Sequence, residues 1–230
     1  MHHRHMILNE PLTAAAGLAL VFDMDGVILD SNFLHAKVWR EYLQRFNVSA
    51  DGIDTRMQGK RNDDIVRELF GGDLSQEEIL AHGSRKEALF RQHMAGQLEE
   101  NLMPGLRTLL GSNRHLPLGV GTNAEPANID MVLDGASLRH FFRAVVDGDQ
   151  VSKPKPSPDI YLRVATLLEV APRNCIVFED SPSGIAAARA MGGRVVGVCR
   201  KGCQLPGTEL SIRDFADPAL ANWLSVQEHV

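Results

Sequence analysis

The sequence contains few cysteines. Its three, Cys175, Cys199 and Cys203, are sparse and odd in number, which is typical of proteins from a reducing compartment. Cys199 and Cys203 could share a metal ion, but no second pair of metal ligands lies near them in the sequence. We therefore expect free thiols and a cytoplasmic location.

The sequence also has no concentration of positive charge. Acidic residues outnumber basic residues by 29 to 24, which gives a net charge of -5, and no basic stripe is present. This excludes the kind of surface that binds nucleic acids or anionic membranes. The apolar run at residues 12–22 is too short to span a bilayer, and no small-residue cleavage site follows it. We expect residues 1–16 to form a disordered or loosely packed extension.

The composition is otherwise that of an ordinary globular protein. Hydrophobic residues make up 44% of the chain and charged residues 23%. A length of 230 residues is enough for one large domain or for a core with a smaller insert. We find no internal repeat and no low-complexity tract, and we expect a monomer or a small homo-oligomer.

Two carboxylates directly follow the first predicted strand. The apolar residues 18–22 predict a buried parallel strand, and Asp23 and Asp25 come next. Side chains at i and i+2 of a strand point the same way, so both acids should lie at the carboxyl end of the strand, where open α/β sheets bind ligands. Adjacent carboxylates repel each other unless a cation is present. The pair therefore fits a metal-bound nucleophile beside a group that gives and takes protons.

Residues 32–101 show helical patterns and no convincing strand. Ser31 can cap the first helix, and Ser75 with Glu78 forms a capping-box pattern that opens a helix towards Met94. A polar, basic loop at residues 56–61 separates the predicted helices. The helical spacing is carried by His35, Trp39, Leu43 and Phe46 in the first helix and by Ile65, Leu69 and Phe70 in the second.

From residue 103 the pattern changes to strand–helix alternation. Strands are predicted at residues 116–121, 144–146, 175–178 and 195–198, and helices begin near residues 126, 157 and 181. Such alternation predicts a doubly wound, Rossmann-like parallel sheet with helices on both faces. We therefore expect an α/β core domain, residues 17–31 and 102–230, with an inserted α-helical cap domain, residues 32–101.

Polar side chains follow the predicted strands in a fixed order: Asp23 and Asp25, then Thr122, then Lys155, then Glu179 and Asp180. Parallel strands present their carboxyl ends to one crevice, so these groups can converge there. A carboxylate nucleophile, a carboxyl acid/base, and a hydroxyl and an ammonium that stabilise phosphoryl oxygens are the parts that phosphoryl transfer requires. The hard oxygen ligands Glu179 and Asp180 favour Mg²⁺ over zinc.

The same segments resemble the four motifs of the haloacid dehalogenase superfamily, in the family's order. They are Asp23-Met24-Asp25-Gly26-Val27, Thr122-Asn123, Lys155-Pro156-Ser157-Pro158-Asp159, and Phe178-Glu179-Asp180-Ser181-Pro182-Ser183-Gly184. The helical insert resembles the cap of the branch that includes β-phosphoglucomutase and small sugar-phosphate phosphatases. The resemblance implies Asp23 as nucleophile and Asp25 as acid/base, with Mg²⁺ held by Asp23, the Asp25 carbonyl and Asp180, and Glu179 beside it. It places Thr122, Asn123 and Lys155 at the phosphoryl group.

The resemblance also suggests roles outside these motifs. In the mutase-like branch a His and a Trp lie near the hinge between core and cap, at the positions of His35 and Trp39, and a cap loop around a glycine selects the substrate. Gly59, Lys60 and Arg61 are the corresponding loop residues. Together with His35 and Asn123, they are the candidates for substrate binding.

Each of these residues also has a purely structural interpretation. Thr122 could only cap the following helix, Lys153 could be confused with Lys155, and Glu179 could support the metal site without binding the ion. His35 and Trp39 could serve packing alone. The loop at residues 56–61 could be a solvated basic turn.

Three functions remain open at this point. Asp25 argues against a dehalogenase or phosphonatase, because the branches with those activities lack this acid. The mutase pattern has an arginine where this chain has Asn62, and Ser and Lys where it has Ala124 and Glu125, which favours a Mg²⁺-dependent phosphatase of small phosphorylated metabolites, such as sugar or polyol phosphates, over a phosphomutase. A phospho-accepting signalling module uses similar groups, but in a different order and without a helical insert.

Overall fold

The computed structural model describes residues 17–72 and 74–227. The extension predicted at residues 1–16 lies outside the described residues. The predicted parallel sheet is confirmed, with every pairing parallel and the strand order β3-β2-β1-β4-β5-β6. Its strands are β1 Ala19–Phe22, β2 Leu118–Gly121, β3 Ala144–Val146, β4 Cys175–Glu179, β5 Arg194–Val198 and β6 Leu210–Ile212. The strand order reverses between β1 and β4, and open α/β sheets bind ligands at such a point.

The helices are α1 Asn32–Gln44, α2 Ile53–Arg56, α3 Asn62–Phe70, α4 Gln76–Met94, α5 Leu106–Ser112, α6 Pro126–Gly135, α7 Asp159–Leu168, α8 Pro182–Ala190 and α9 Pro218–Gln227. Short 3₁₀ turns lie at Glu99–Asn101, Arg139–Phe141, Gly148–Gln150 and Pro172–Asn174. As the sequence predicts, α1 to α4 are inserted between β1 and β2, and no strand lies among residues 32–72 and 74–101.

The sheet separates two hydrophobic clusters because alternate strand residues face opposite sides. Leu20 and Phe22 of β1 pack into the larger cluster, with apolar residues of α1, α4, α5, α6 and α9. Ala19 and Val21 pack into the smaller one, with α7 and α8. Helices therefore cover both faces of the sheet, and β1 is completely buried between them.

Element boundaries differ from the sequence predictions in a few places. Helix α1 ends at Gln44, so Phe46 lies beyond it, and β2 begins at Leu118 rather than at residue 116. The capping box is formed: Glu78 N donates to Ser75 Oγ at 3.2 Å, and Ser75 N donates to Glu78 Oε2 at 2.8 Å. The edge strand β6 and helix α9 were not predicted.

The prediction of free thiols is wrong for two of the three cysteines. Cys199 and Cys203 form a disulfide with their Cα atoms 5.7 Å apart, while Cys175 is free and buried in β4. The chain turns back after β5, where Gly202 N donates to Cys199 O at 2.7 Å, and this turn brings the two cysteines together. Of the three cysteines, only Cys175 therefore has the free thiol expected in a reducing compartment. No helix in the described part of the chain combines the length and hydropathy of a membrane span.

Candidate active site

The loop after β1 places the first acid at the centre of the sheet edge. Asp23 N continues the strand pairing by donating to Phe178 O of β4 at 3.0 Å. The chain then turns through Gly26, whose φ of +77° is left-handed, and a Cβ there would overlap the Asp180 carboxylate. Glycine is therefore required both by the turn and by the close approach of Asp180.

Asp23 and Glu179, which are buried, and Asp180, which is partly buried, form an acid cluster with carboxylate oxygens that lie within 4.8 Å of one another. Burial raises the pKa of Asp23 and outweighs the opposing charge of Lys155, and the charge of Glu179 adds to the rise, so the pKa of Asp23 reaches about 7. Burial and the charges of Glu179 and Asp23 raise the pKa of Asp180 well above its usual range. A divalent cation would relieve this repulsion, and oxygen-only ligands suit Mg²⁺.

Glu179 occupies a different place in this cluster from the other two acids. It is fully buried, and its carboxylate accepts hydrogen bonds from protein donors at both oxygens: Lys155 and Tyr161 at Oε1, and Asp180 N, Ser181 N and Ser181 Oγ at Oε2. A Cβ on Gly184 of α8 would overlap this carboxylate. These hydrogen bonds and the close approach of Gly184 hold the Glu179 carboxylate in place beside Lys155.

Lys155 lies inside the acid cluster, whereas Lys153 is exposed. The Lys155 Nζ is 2.9 Å from Asp23 Oδ1 and 2.6 Å from Glu179 Oε1. Burial alone would lower the pKa of Lys155, but Asp23 and Glu179 raise it, so the ammonium stays charged. Thr122 Oγ1 accepts from Ala124 N at 3.1 Å, but the N-cap of α6 is Glu125. The Thr122 hydroxyl proton remains available to donate into the cavity.

Asp25 is held by two donors from the start of α1. Ser31 Oγ donates to Asp25 Oδ1 at 2.6 Å, so the Ser31 side chain does not cap the helix as its sequence position predicts. His35 Nε2 lies 3.1 Å from the same oxygen. Burial raises the pKa of Asp25, but the interaction with His35 and the hydrogen bond from Ser31 outweigh it, and the pKa falls below its usual value.

A buried polar network that the sequence analysis did not predict extends from His35 into α4. Lys86 Nζ donates to His35 Nδ1 at 2.6 Å and to Glu87 Oε1 at 2.8 Å, and both Lys86 and Glu87 are buried. In the sequence, Arg85, Lys86 and Glu87 are three consecutive charges of an ordinary surface helix. Only the packing of α4 against α1 shows that two of them are interior.

These residues surround one cavity of about 100 Å³ between the inserted helices and the sheet edge. Of the predicted site residues, the cavity is lined by Asp23, Asp25, His35, Gly59, Lys60, Thr122, Asn123, Lys155 and Asp180. Trp39, Asn62, Lys86, Glu87 and Asn128 also line it.

Three predicted residues have their side chains engaged elsewhere. Arg61 does not line the cavity, and its guanidinium donates to Asp149 Oδ1 at 2.9 Å, across to the loop after β3. Glu179 lies behind Lys155, outside the lining. Lys60 lines the cavity, but its Nζ donates to Glu68 Oε2 at 2.6 Å.

Comparison with known proteins agrees with this geometry. Residues 18–192 match the model of the haloacid dehalogenase-like hydrolase family. The chain belongs to this family. Among related haloacid dehalogenase-like proteins, the fructose-1-phosphate phosphatase YqaB of Escherichia coli is 35% identical over 182 residues, which cover 78% of this chain and 95% of the relative. The β-phosphoglucomutase of Bacillus subtilis is 28% identical over 211 residues, covering 88% of this chain and 92% of the relative.

Solved structures of the same family share the whole architecture. A family IA hydrolase from Entamoeba histolytica superposes with a TM-score of 0.79 at 25% identity, covering 91% of this chain and 99% of the other. A β-phosphoglucomutase from Clostridium difficile superposes with a TM-score of 0.81 over 93% of this chain and 97% of the other, and its 23% identity shows the fold alone. The chain is thus a haloacid dehalogenase-like hydrolase, with the helical insert of such enzymes.

Proposed function

We propose that the chain is a Mg²⁺-dependent phosphatase of sugar or polyol phosphates that works through an aspartyl phosphate on Asp23. The carrying observation is the buried contact between Asp23 and Lys155, 2.9 Å apart, in one cavity with Asp25, Thr122 and Asp180. Two relatives support the substrate class: YqaB and a phosphorylated carbohydrates phosphatase of Thermotoga maritima, which is 31% identical over 190 residues.

The acid cluster fits Mg²⁺ by its chemistry. Asp23 and Asp180 line the cavity, and the raised pKa of each reflects a site that favours a nearby cation. We propose these two carboxylates as ligands, with the Asp25 carbonyl, and Glu179 as the group that orients Lys155. When bound, the ion would neutralise charge on the phosphoryl oxygens.

The chain's own residues account for both halves of the reaction. A carboxylate oxygen of Asp23 attacks phosphorus while the bond to the ester oxygen breaks, and Asp25 gives its proton to the departing alkoxide. Lys155 and the Thr122 hydroxyl donate to the non-bridging oxygens. Asp25 then takes a proton from water as the water oxygen attacks phosphorus, which releases phosphate and restores the Asp23 carboxylate. The lowered pKa of Asp25 suits this second step, whereas the first step uses the protonated form of Asp25.

A phosphomutase is the second candidate, because three β-phosphoglucomutases are among the relatives. A mutase returns the phosphoryl group of Asp23 to a sugar instead of to water. It would need a catalytic trace of sugar bisphosphate and would yield an isomer rather than free phosphate. A phospho-accepting signalling module would instead be stably labelled by a phosphodonor and release no phosphate from monoesters.

The division into core and cap at residues 31/32 and 101/102 remains a proposal. So do a cytoplasmic location, a monomeric or small homo-oligomeric state, and the absence of nucleic-acid and membrane partners.

The proposed function predicts different defects for variants of the two aspartates. Asp23→Asn should lower phosphate release from sugar phosphates by at least about a thousandfold, because no intermediate can form. Asp25→Ala should turn over slowly yet retain slow phosphorylation of Asp23, detectable as a hydroxylamine-sensitive protein phosphate. Both products, phosphate and isomer, are measured with Mg²⁺ present.

The control for this test is Asp134→Asn, since Asp134 is exposed on α6 and pairs with Arg139. It should keep wild-type activity. Steady-state turnover by Asp23→Asn would exclude Asp23 as the nucleophile. Formation of an isomer by the wild type would show that the protein is a phosphomutase rather than a phosphatase.

A further inference from the structure

One wall of the cavity ends in a buried carboxylate held by two amides. Glu87 of α4 is 3% exposed, and its Oε1 accepts from Asn62 Nδ2 of α3 at 2.7 Å. Its Oε2 accepts from Asn128 Nδ2 of α6 at 2.7 Å. All three residues line the cavity, and we call them the Glu87 wall.

The Glu87 wall is separated from the reacting groups by a chain of hydrogen bonds. Asp25 is 3.1 Å from His35, His35 is 2.6 Å from Lys86, and Lys86 is 2.8 Å from Glu87. Two side chains therefore lie between Asp25 and the wall. A substrate with its phosphoryl group at Asp23 would present its remaining atoms to the Glu87 wall.

Positive charges at the cavity are already paired with carboxylates. The pairs in the described part of the chain are Lys155 with Asp23 and Glu179, Lys86 with Glu87, Lys60 with Glu68, Arg61 with Asp149, and Arg91 with Glu125. Of these cations, only the three lysines line the cavity. Burial raises the pKa of Glu87, but Lys86, His35 and the donor Asn62 lower it to about 2. The Glu87 carboxylate is therefore charged at neutral pH. A second phosphate on the substrate would face this negative charge, and none of the cations named above is unpaired and able to offset it.

The cavity does offer acceptors for hydroxyl groups. Asn123 Oδ1 is a buried atom without a hydrogen-bond partner in the described structure, and Asn123 lines the cavity. A buried acceptor left unpaired costs free energy, so a ligand that donates to it gains affinity. A hydroxyl group can donate, whereas a phosphate dianion cannot. Glu87 Oε2, with one side-chain donor, has a second lone pair for a hydroxyl.

We propose that the Glu87 wall discriminates against a second phosphate on the substrate, so that the cavity favours monoesters whose remaining part is uncharged. This inference rests on the proposed function, because it concerns substrate choice at the same site. Hydroxyl groups of the substrate donate to Glu87 and Asn123. Glu87 and its amide neighbours are specificity-determining residues, and they take no part in the bonds made and broken at phosphorus.

The test compares kcat/KM for fructose 1-phosphate and fructose 1,6-bisphosphate, with phosphate release at the shared position as the readout. The wild type should prefer the monophosphate by at least about tenfold, because like charges at close range are strongly unfavourable. Glu87→Gln and Asn62→Arg should each reduce this preference by about tenfold or more, since the first removes the carboxylate charge and the second adds a cation beside it. Asp134→Asn raises the net charge by the same single unit, away from the cavity, and should leave the ratio unchanged.

A binding measurement separates this inference from the chemistry. Calorimetric titration of the Asp23→Asn variant with both sugars should give a lower Kd for the monophosphate. Thermal unfolding checks that each variant is folded, and the wild-type ratio together with Asn62→Arg decides the matter if Glu87→Gln does not fold.

The possible outcomes test the discrimination by the Glu87 wall and the proposed phosphatase activity separately. Equal kcat/KM and equal Kd for the two sugars in the wild type would overturn the inference while leaving a phosphatase. An unchanged ratio in folded Glu87→Gln and Asn62→Arg would also overturn it. Failure to release phosphate from any monoester would reject the proposed function, and the calorimetric comparison would still decide the discrimination.

Discussion

Lys86 determines the tautomer of the histidine that faces Asp25. An ammonium group can only donate, so His35 Nδ1, 2.6 Å from Lys86 Nζ, accepts this hydrogen bond. The ring proton then lies on Nε2, where it faces Asp25 Oδ1. His35 also stacks on Phe90 with ring centroids 3.8 Å apart, which holds the ring in this orientation. We therefore propose His35 as a positioning residue for Asp25.

Removing this donor should change the pH dependence of turnover. Since the interaction with His35 lowers the pKa of Asp25, His35→Ala should raise it, and the carboxylate that activates water would form only at higher pH. We expect kcat to fall about a hundredfold and its acidic limb to move to higher pH. The measurement is a pH–rate profile for phosphate release.

Ser31→Ala is the matched variant, because it removes the other donor to Asp25 without touching Lys86. Its acidic limb should shift in the same direction. If kcat falls in both variants but the acidic limb of neither pH–rate profile shifts, this role is contradicted, and His35 serves packing alone.

At the scale of the elements, the turn between α2 and α3 lies against the start of α8. Gly59 has a φ of +66°, and its carbonyl accepts from Ser183 Oγ at 3.1 Å. A Cβ at Gly59 would overlap Ser183 Oγ and approach Ser181. Gly52, at the start of α2, has a similar φ of +68°, yet a Cβ there would meet nothing nearer than Arg56 Cδ at 3.8 Å.

These two glycines separate backbone strain from contact with the core. Gly59→Ala should lower kcat/KM by about tenfold or more, since displacing a reacting group by a fraction of an ångström to an ångström is costly. Gly52→Ala carries the same left-handed strain, about 1 kcal/mol, without the overlap, and should keep wild-type kcat/KM. Thermal unfolding of the two variants measures whether the backbone strain lowers their Tm by the same amount. Equal activities of the two variants would exclude a role for the Gly59 contact.

On the scale of the whole molecule, the inserted helices are held against the core by polar contacts around the cavity. Arg61 reaches Asp149, Ser183 reaches Gly59, and Arg91 reaches Asn128 at 2.7 Å. Because the pKa values of Asp23 and Asp180 in the acid cluster are raised, we expect stability and metal binding to be coupled through the charge of these two carboxylates.

Mg²⁺ should stabilise the fold, and more strongly at higher pH. The pKa of Asp23 is raised to about 7, so the folded state binds more protons than the unfolded state between about pH 4 and 7, and metal-free stability falls as pH rises through this window. Mg²⁺ replaces those protons and should raise the Tm, by an amount equivalent to about 2.7 kcal/mol at a hundred times its Kd. Thermal unfolding at pH 6 and pH 8, with Mg²⁺ or with a chelator, measures this.

Asp180→Asn should lose most of the Mg²⁺-dependent rise in Tm, whereas Asp134→Asn should retain it. An equal rise in wild type and Asp180→Asn at both pH values would exclude the acid cluster as the magnesium site.

The sequence alone determined the sheet, the insert and the order of the acids. Buried parallel strands must be continuously apolar, and the polar residues that end them are conspicuous, so residues 18–25 and 175–180 indicated both the strands and the edge where they end. Strand β6 and helix α9 were not predicted, because β6 has only three residues and both elements are only partly buried, so neither has a continuous apolar run. The pairing of Cys199 with Cys203 escaped as well, because it depends on how the chain turns after β5.

Only the tertiary structure decided which charged residues are interior. Lys86 and Glu87 look like surface charges because helical sequence spacing does not encode what packs against that face. Arg61 looks like a substrate ligand, yet its partner Asp149 is distant in sequence. The charge of a buried group depends on neighbours that the fold supplies, so the electrostatics of the cavity, unlike its position, could be determined only from three dimensions.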